Sequence, residues 1–443
     1  MKLSAALRLS DLPRLALVGA GGKSSALFCL AGELAAAGRK VLVTTTTHLG
    51  TWQVTVDNLH LVVENAGDIR QAADIPAGIV VVTGPQTDAE RFGGLNGDTL
   101  SALHTFADRH QLPLLIEADG ARLLPLKAPA AHEPAIPAFV DRVVVCAGLQ
   151  GLGKPLAAEW VHRPEQFARL SGLGMGELVT PEALSRLLMH PQGGLKNIPE
   201  GARRVLLLNQ ADTVEQQAQA KAIAQQVQQG FHAVLIASLR HPKIFAVHEP
   251  VAGIVLAAGG ATRFGSQKQL ADWQGQPMVR HVAQTALQAG LTPLVVVSGA
   301  GAEGVSQAVA GLPVRVVHNP AWQSGQSSSM HAGLNAIPPT GGGAVFLLAD
   351  QPNVPAALIQ ALVEAHSQTL APIVAPLVDG QRGNPVLFDP ITYTDLLQVS
   401  GDVGGRQIFS KYPLQYVPWH DRGVLLDVDE PSDYEQSQPK KIR

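Results

Sequence analysis

Two stretches of this 443-residue chain place glycines, a cation and carboxylates where phosphate chemistry uses them. The first, Gly19-Ala20-Gly21-Gly22-Lys23-Ser24-Ser25, follows the apolar run Leu15-Ala16-Leu17-Val18 and precedes an Ala/Leu-rich stretch. Strand, glycine-rich loop, Lys-Ser and helix is the order of a P-loop, whose backbone N–H groups close on an anion. The full motif has glycine at position 17, where this chain has Leu17, so the loop is a degenerate P-loop. Gly21, Gly22, Lys23 and Ser24 are the expected phosphate ligands, with Lys23 reaching terminal phosphates and Ser24 approaching Mg2+. Glu117-Ala118-Asp119-Gly120 follows another apolar run, as a Walker B acid does, and adds Asp119 to the set. Asn209-Gln210-Ala211-Asp212 has the outline of the guanine-reading Asn-Lys-x-Asp, with Gln210 in place of the lysine. Asn209 and Asp212 are therefore the expected base contacts, for GTP or ATP. The threonine run 44–47 reads equally well as a plain loop.

The second stretch is Ile254-Val255-Leu256-Ala257-Ala258-Gly259-Gly260-Ala261-Thr262-Arg263-Phe264-Gly265, with Lys268 just beyond. A buried strand breaks here into a small-residue loop, and Arg263 and Lys268 supply positive charge for a triphosphate. Downstream, Leu347-Leu348-Ala349-Asp350-Gln351-Pro352 carries one carboxylate to the end of an apolar run, where ligands bind in open α/β sheets. Asp427 and Asp429 flank Val428 after another apolar run, and alternation places both on one face of a strand. Asp350 with Asp427 or Asp429 would hold Mg2+, which takes one or two carboxylates together with substrate phosphate oxygens.

These residues carry a resemblance. Leu256 to Lys268, Asn319-Pro320, Ser324-Gly325-Gln326-Ser327-Ser328-Ser329-Met330 and Asp350-Gln351-Pro352 resemble the molybdenum cofactor cytidylyltransferases. So do Gly383-Asn384-Pro385-Val386, Gly401-Asp402 with Gly404-Gly405-Arg406, and the ending from Asp427 to Tyr434. The resemblance spans about 253–434. It implies a Rossmann-like domain that transfers CMP from CTP to molybdopterin with release of diphosphate. It implies nucleotide contacts from Ala258, Gly259, Gly260, Arg263 and Lys268, with Arg263, Lys268 and Asp350 as the catalytic set. Asp350 would be the metal ligand, with Asp427 or Asp429 as the second. Ser327, Ser328, Ser329 and Asn384 would meet the pterin substrate. Ala258, where guanylyl-transferring relatives tend to have glycine, points to a pyrimidine nucleotide. The sequence departs from the pattern at Ala261, where a hydroxyl residue is usual. The first half, about 7–239, resembles the selenium-dependent hydroxylase accessory proteins, and its fusion to the second half suggests an accessory role in maturing a molybdenum hydroxylase apoenzyme.

The implied reaction suits these residues. A phosphate monoester has a second pKa near 6 and is largely ionised at pH 7, so attack by it requires no general base. It requires in-line geometry and positive charge on the leaving diphosphate. Two alternatives stay open on sequence alone: a sugar or polyol phosphate as acceptor, and a nucleotide-driven cofactor-insertion chaperone. No complete Gly-x-Ser-x-Gly and no His-Glu-x-x-His occurs, which leaves hydrolase and metalloprotease readings weak.

The elements that must position these groups follow from the patterning. Short β-branched runs alternate with helical-period stretches, which predicts two three-layer α/β/α domains with mostly parallel sheets. Expected strands are 15–18, 41–44, 79–83, 114–118, 142–146, 205–208 and 234–236 in a first domain, 1–245. A second domain, 251–435, holds 253–257, 294–298, 314–318, 344–348, 373–376 and a closing strand near 424–428. The segment 240–251, with two prolines and two histidines, reads as the linker, and the polar tail 436–443 is expected to fray.

Composition narrows the classes further. The chain has 33 Lys+Arg against 36 Asp+Glu, so it lacks the basic footprint of a nucleic-acid binder. Cys29 and Cys146 are too few for a disulfide framework or a zinc site. No apolar stretch reaches the roughly 18 residues of a membrane span. A cytoplasmic enzyme of small-molecule substrates, without membrane or nucleic-acid partners, is the expectation.

Overall fold

The computed structural model describes residues 1–55, 58–74, 78–260 and 267–427. It divides into two units, Met1–His248 and Glu249–Arg443. The expected residues Arg263 and Asp429, the departure at Ala261 and the tail lie outside the described residues.

The first unit is built on β1 (Arg14–Gly19), β2 (Lys40–Thr45), β3 (Leu59–Val62), β4 (Gly78–Thr83), β5 (Leu114–Glu117), β6 (Arg142–Gly148), β7 (Arg203–Asn209), β8 (Ala233–Ser238) and β9 (Lys243–His248). Their spatial order is 9-8-7-6-1-5-2-4-3. Every pairing is parallel except β8 with β9. Inner strands such as β1, β5 and β6 are buried along almost their whole length, as strands covered on both faces must be, which is why they read as unbroken Val/Leu/Ile runs. The chain runs from β1 to one side through β2 and to the other through β6, so the sheet changes direction beside β1. The crevice at that point opens over the β1 loop, the usual ligand position in such sheets. Helix α1 (Lys23–Ala36) follows directly and buries Ala26, Leu27, Leu30, Ala31 and Leu34, a spacing of three and four that forms one stripe.

The second unit contains β10 (Val251–Ala257), β11 (Leu294–Ser298), β12 (Arg315–His318), β13 (Gly343–Leu348), β14 (Ile373–Val378), β15 (Gln381–Arg382), β16 (Val386–Phe388) and β17 (Leu414–Pro418). The order is 12-11-10-13-16-14-15, with β17 beside β14. Strands β10 to β13 and the β14–β17 pair are parallel, whereas β16 and β15 run antiparallel to their neighbours. Alternate residues face opposite layers: Val255 and Val345 pack on one side of the sheet, Ile254 and Ala344 on the other. Direction changes between β10 and β13, so the tips of those two strands frame this unit's crevice.

Two expectations are corrected. The supposed linker 240–251 is largely β9, whose Ile244, Ala246 and Val247 are buried against β8. An antiparallel edge strand tolerates polar residues on its open side, and that polarity masked it. Where the closing strand was expected near 424–428, Arg422–Leu425 forms a 3-10 turn, and among the described residues the last strand of the sheet is β17. Among the described residues, no helix is long and apolar enough to cross a membrane.

Candidate functional site

In the second unit β10 ends at Ala257, and Ala258-Gly259-Gly260 forms the rim of a cavity of about 540 Å3. Gln269, buried in the next turn, donates from Nε2 to the Gly259 carbonyl at 3.2 Å and fixes the loop from below. Strand β13 delivers Asp350 to the same cavity. Lys268 meets it there, with Nζ 2.5 Å from Asp350 Oδ2 and both side chains about a quarter exposed. Lysine, carboxylate and glycine loop, separated by up to 92 positions in the chain, thus converge at adjacent strand tips.

The serine run begins helix α2 (Gln326–Leu334). Its donors are mostly engaged within the fold: Gln326 N donates to Asp402 Oδ1 at 3.2 Å, Ser327 N to Gly401 O at 3.2 Å and Ser328 Oγ to Gly325 O at 2.9 Å. Asn319 Nδ2 binds Ser328 Oγ and Ser329 Oγ at 2.8 and 2.9 Å. Of the three serines, Ser329 lines the cavity. A second cavity, of about 350 Å3, shares Leu256, Gln326 and Leu348 with the first and contains Asn384 and Asp427. Asp427 accepts a hydrogen bond from the Nε2 of Gln351, the residue that follows Asp350.

These donors fit a hard divalent cation. Two carboxylates are present, and Gln351 Oε1 is a buried oxygen without a hydrogen-bond partner beside them. Hard oxygen donors completed by substrate phosphate are the usual Mg2+ set. Among the described residues no group of three or more His, Cys, Asp or Glu side chains is placed to hold a metal ion.

In the first unit the sequence motifs also converge. Lys23 is buried and donates from Nζ to the Gly19 carbonyl at 2.8 Å, with Asp119 at 3.4 Å and Glu117 at 3.7 Å. Burial alone would lower its pKa, but the Asp119 and Glu117 charges outweigh that and raise it, so the ammonium stays charged. Ser24 Oγ donates to Glu117 Oε2 at 2.8 Å. Burial pushes the Glu117 carboxyl up, against the pull of Lys23. Three loop amides already have protein acceptors: Gly19 N on Asp119 Oδ2, Ala20 N on Cys146 O and Gly21 N on Leu124 O.

Asn209 lies beside this loop and not at its mouth. Its Nδ2 donates to Gly21 O at 2.8 Å and its Oδ1 accepts from Leu239 N at 2.9 Å, so both ends of the amide clamp backbone. Asp212 is exposed and accepts from Ser238 Oγ at 2.6 Å. Gly22 has φ +129, and a Cβ there would sit 2.1 Å from Asn209 Nδ2. Gly22→Ala is accordingly expected to destabilise the first unit by roughly 1–3 kcal/mol. A melting curve superimposable on that of the wild type would refute the clamp.

Sequence reasoning left several site residues without a role: Lys127, Glu133 and Arg163 in the first unit, Arg382, Arg406 and Gln351 in the second. Arg406 follows the paired glycines Gly404 and Gly405, and Arg382 precedes Gly383-Asn384, so glycine-flanked arginines were the available signal.

Comparison with known proteins agrees with this division. The family described as YqeC protein matches residues 15–165, and the family described as MobA-like NTP transferase domain matches 253–416. A protein of Escherichia coli K12 named YqeC, itself uncharacterised, is 36% identical over 225 residues, covering 48% of this chain and 82% of its own length. Nicotine blue oxidoreductase of Paenarthrobacter nicotinovorans is 32% identical over 189 residues, covering 40% of this chain and 92% of its own length. The crystal structure of Rv0371c from Mycobacterium tuberculosis is 26% identical, with a TM-score of 0.39, covering 42% of this chain and 96% of that one. By these matches the chain belongs to the YqeC family through its first unit and to the MobA-like NTP transferase domain family through its second.

Proposed function

We propose that the second unit transfers CMP from CTP to the phosphate of molybdopterin, releasing diphosphate, and that the chain serves maturation of a molybdenum hydroxylase. The observation that carries this reading is the Lys268–Asp350 pair in the cavity rimmed by Gly259 and Gly260, which shares Leu256, Gln326 and Leu348 with a second cavity. One cavity suits a nucleoside triphosphate and the other an acceptor. An oxygen of the acceptor phosphate attacks the α-phosphorus of the nucleotide. The bond from that phosphorus to the bridging oxygen breaks, and diphosphate leaves with the electron pair. The acceptor is already ionised, so no residue needs to take a proton.

Lys268 neutralises charge on the phosphates, and Arg263 is proposed to do the same from the adjoining loop. Ala258, Gly259 and Gly260 offer backbone to the nucleotide without side-chain obstruction. Asp350 and Asp427, or Asp429, would hold Mg2+, which supplies electrostatic stabilisation of the developing phosphate charge when bound. In the first unit, Lys23, Ser24, Glu117 and Asp119 form a second phosphate site, for GTP or ATP, that would drive a maturation step.

The test is a nucleotide panel. Purified protein with Mg2+ and molybdopterin should release diphosphate with CTP at least tenfold faster than with ATP, GTP or UTP. Preference for a purine nucleotide, or turnover only with a sugar or polyol phosphate, would overturn the assignment.

A further inference from the structure

Two lysines serve one buried acidic cluster in the first unit, and they are held very differently. Lys127 donates to Asp119 Oδ2 at 2.8 Å, Glu133 Oε2 at 2.9 Å and Gly120 O at 2.7 Å, so its three ammonium hydrogens are all used at normal lengths. Lys23 makes one such bond, 2.8 Å to the Gly19 carbonyl. Its carboxylate neighbours stand further off, Asp119 Oδ1 at 3.4 Å and Glu117 Oε1 at 3.7 Å. Asp119 Oδ1 is buried and has no hydrogen-bond partner. The Lys23 ammonium thus balances two acids in charge without satisfying their oxygens.

The donors around that ammonium are those of a hard cation. Glu117, the last residue of β5, and Asp119 bring two carboxylates. Ser24 Oγ gives its hydrogen to Glu117 Oε2 at 2.8 Å and keeps its lone pairs. Two carboxylates and a hydroxyl, completed by phosphate oxygens, suit Mg2+ or Mn2+.

Charge decides when such a cation can enter. Glu117, Asp119 and Glu133 face Lys23, Lys127 and Arg163, three acids against three bases, and all but Arg163 are buried. A further cation would upset that balance while the Lys23 ammonium stays in place. To reach a terminal phosphate, Lys23 must leave the Gly19 carbonyl and both acids. Glu117 would then have no cation within ion-pair distance among the described residues, and Asp119 would keep Lys127 alone. A buried carboxylate stripped of its partner is strongly unfavourable, so a replacement charge has to arrive as the lysine departs.

Resting on the phosphate-site reading of the first unit, we propose that Glu117, Asp119 and Ser24 form a divalent-cation site whose place Lys23 holds until a nucleotide draws the lysine away. The ammonium excludes the bare ion, and metal and nucleotide enter together. The ligand of this unit is therefore a metal–nucleotide complex, and free metal is not bound.

The test uses Mn2+ alone, counted by the EPR signal of the free ion, with the full-length chain carrying Asp350→Ala in every arm to remove the second unit's proposed metal ligand. Lys23→Met, which keeps the stem and removes the charge, should add one Mn2+ per chain, bound at least tenfold more tightly than anything in the parent. Lys23→Arg keeps the charge and should add none. Glu117→Gln, placed on Lys23→Met, should remove the gained site. Melting curves accompany the titration, because Lys23→Met leaves buried acids uncompensated: Mn2+ should raise the melting temperature of that variant and leave the Lys23→Arg chain unchanged. No gain of Mn2+ by Lys23→Met in either measurement would overturn the proposal. So would a gain that survives Glu117→Gln, or a Glu117-dependent site already present in the parent. Failure of GTP and ATP to bind the wild-type chain would overturn the nucleotide reading of this unit and leave the cation site standing, since the titration contains no nucleotide.

Discussion

Asp350→Ala should reduce CTP-dependent diphosphate release by more than a hundredfold while the protein remains folded. The carboxylate lies just past the end of β13 in the cavity of about 540 Å3, where the proposed reaction places the triphosphate. Removing one well-placed electrostatic group from such a site typically costs about 3–4 kcal/mol of transition-state stabilisation, or two to three orders of magnitude in rate. Its direct partner Lys268 is a quarter exposed, so loss of the ion pair leaves a hydrated ammonium and costs stability no more than about 1 kcal/mol. Activity and stability are therefore separable here. Asp350→Asn, which keeps shape and hydrogen bonding but not charge, should behave like the alanine variant in turnover. Activity of either variant within threefold of wild type would remove Asp350 from the reaction.

How much of this was legible in the sequence depends on where each residue's constraint comes from. The inner strands were plain because burial on both faces demands uninterrupted apolar runs, and β1, β5, β6 and β10 show them. The glycine loops were plain because close backbone approach leaves few alternatives at Gly21 and Gly22. The edge strands β3 and β9 were not, since one open side lets His60 or Lys243 interrupt the pattern. The closing strand was misplaced because 424–428 matches a short strand in composition, while the partner that decides, β14, is reached instead by Leu414–Pro418. Lys127 was invisible for a different reason. Its partners Asp119 and Glu133 are eight and six positions away, on irregular backbone for which no periodicity exists. Arg382 and Arg406 come to one cavity only in the fold, where Gly405 packs on Phe388 and Arg382 lies over Phe409.

That same Lys127 supports the expectation of the largest loss of stability. Its side chain is 2% exposed, and Nζ donates to Asp119 Oδ2 at 2.8 Å, Glu133 Oε2 at 2.9 Å and Gly120 O at 2.7 Å. Three acceptors use all three ammonium hydrogens. Lys127→Met keeps the stem and removes the charge, leaving two buried carboxylates short of a cation, for which about 3–5 kcal/mol is the usual loss. Arg163 remains on Glu133 at 2.8 and 3.1 Å, which limits the damage at that end.

At Asp119 the remaining cation is Lys23, 3.4 Å from Oδ1, while Oδ2, which Lys127 holds, also accepts from Gly19 N at 3.0 Å. The variant should thus loosen the phosphate loop as well as lower the melting temperature. The pH dependence has a defined sign. Burial would raise the Glu133 carboxyl, but hydrogen bonds and charge from Lys127, then Arg163, bring it down to about 2 from 4.5. A depressed carboxylate stabilises the fold fully above the unfolded value and loses that contribution as pH falls from 4.5 through 2. The melting gap between wild type and Lys127→Met should therefore be widest at pH 7 and narrower at pH 3. A gap below two degrees at pH 7, or one that does not shrink in acid, would show that the lysine does not hold these carboxylates, and with them the loop that presents Lys23.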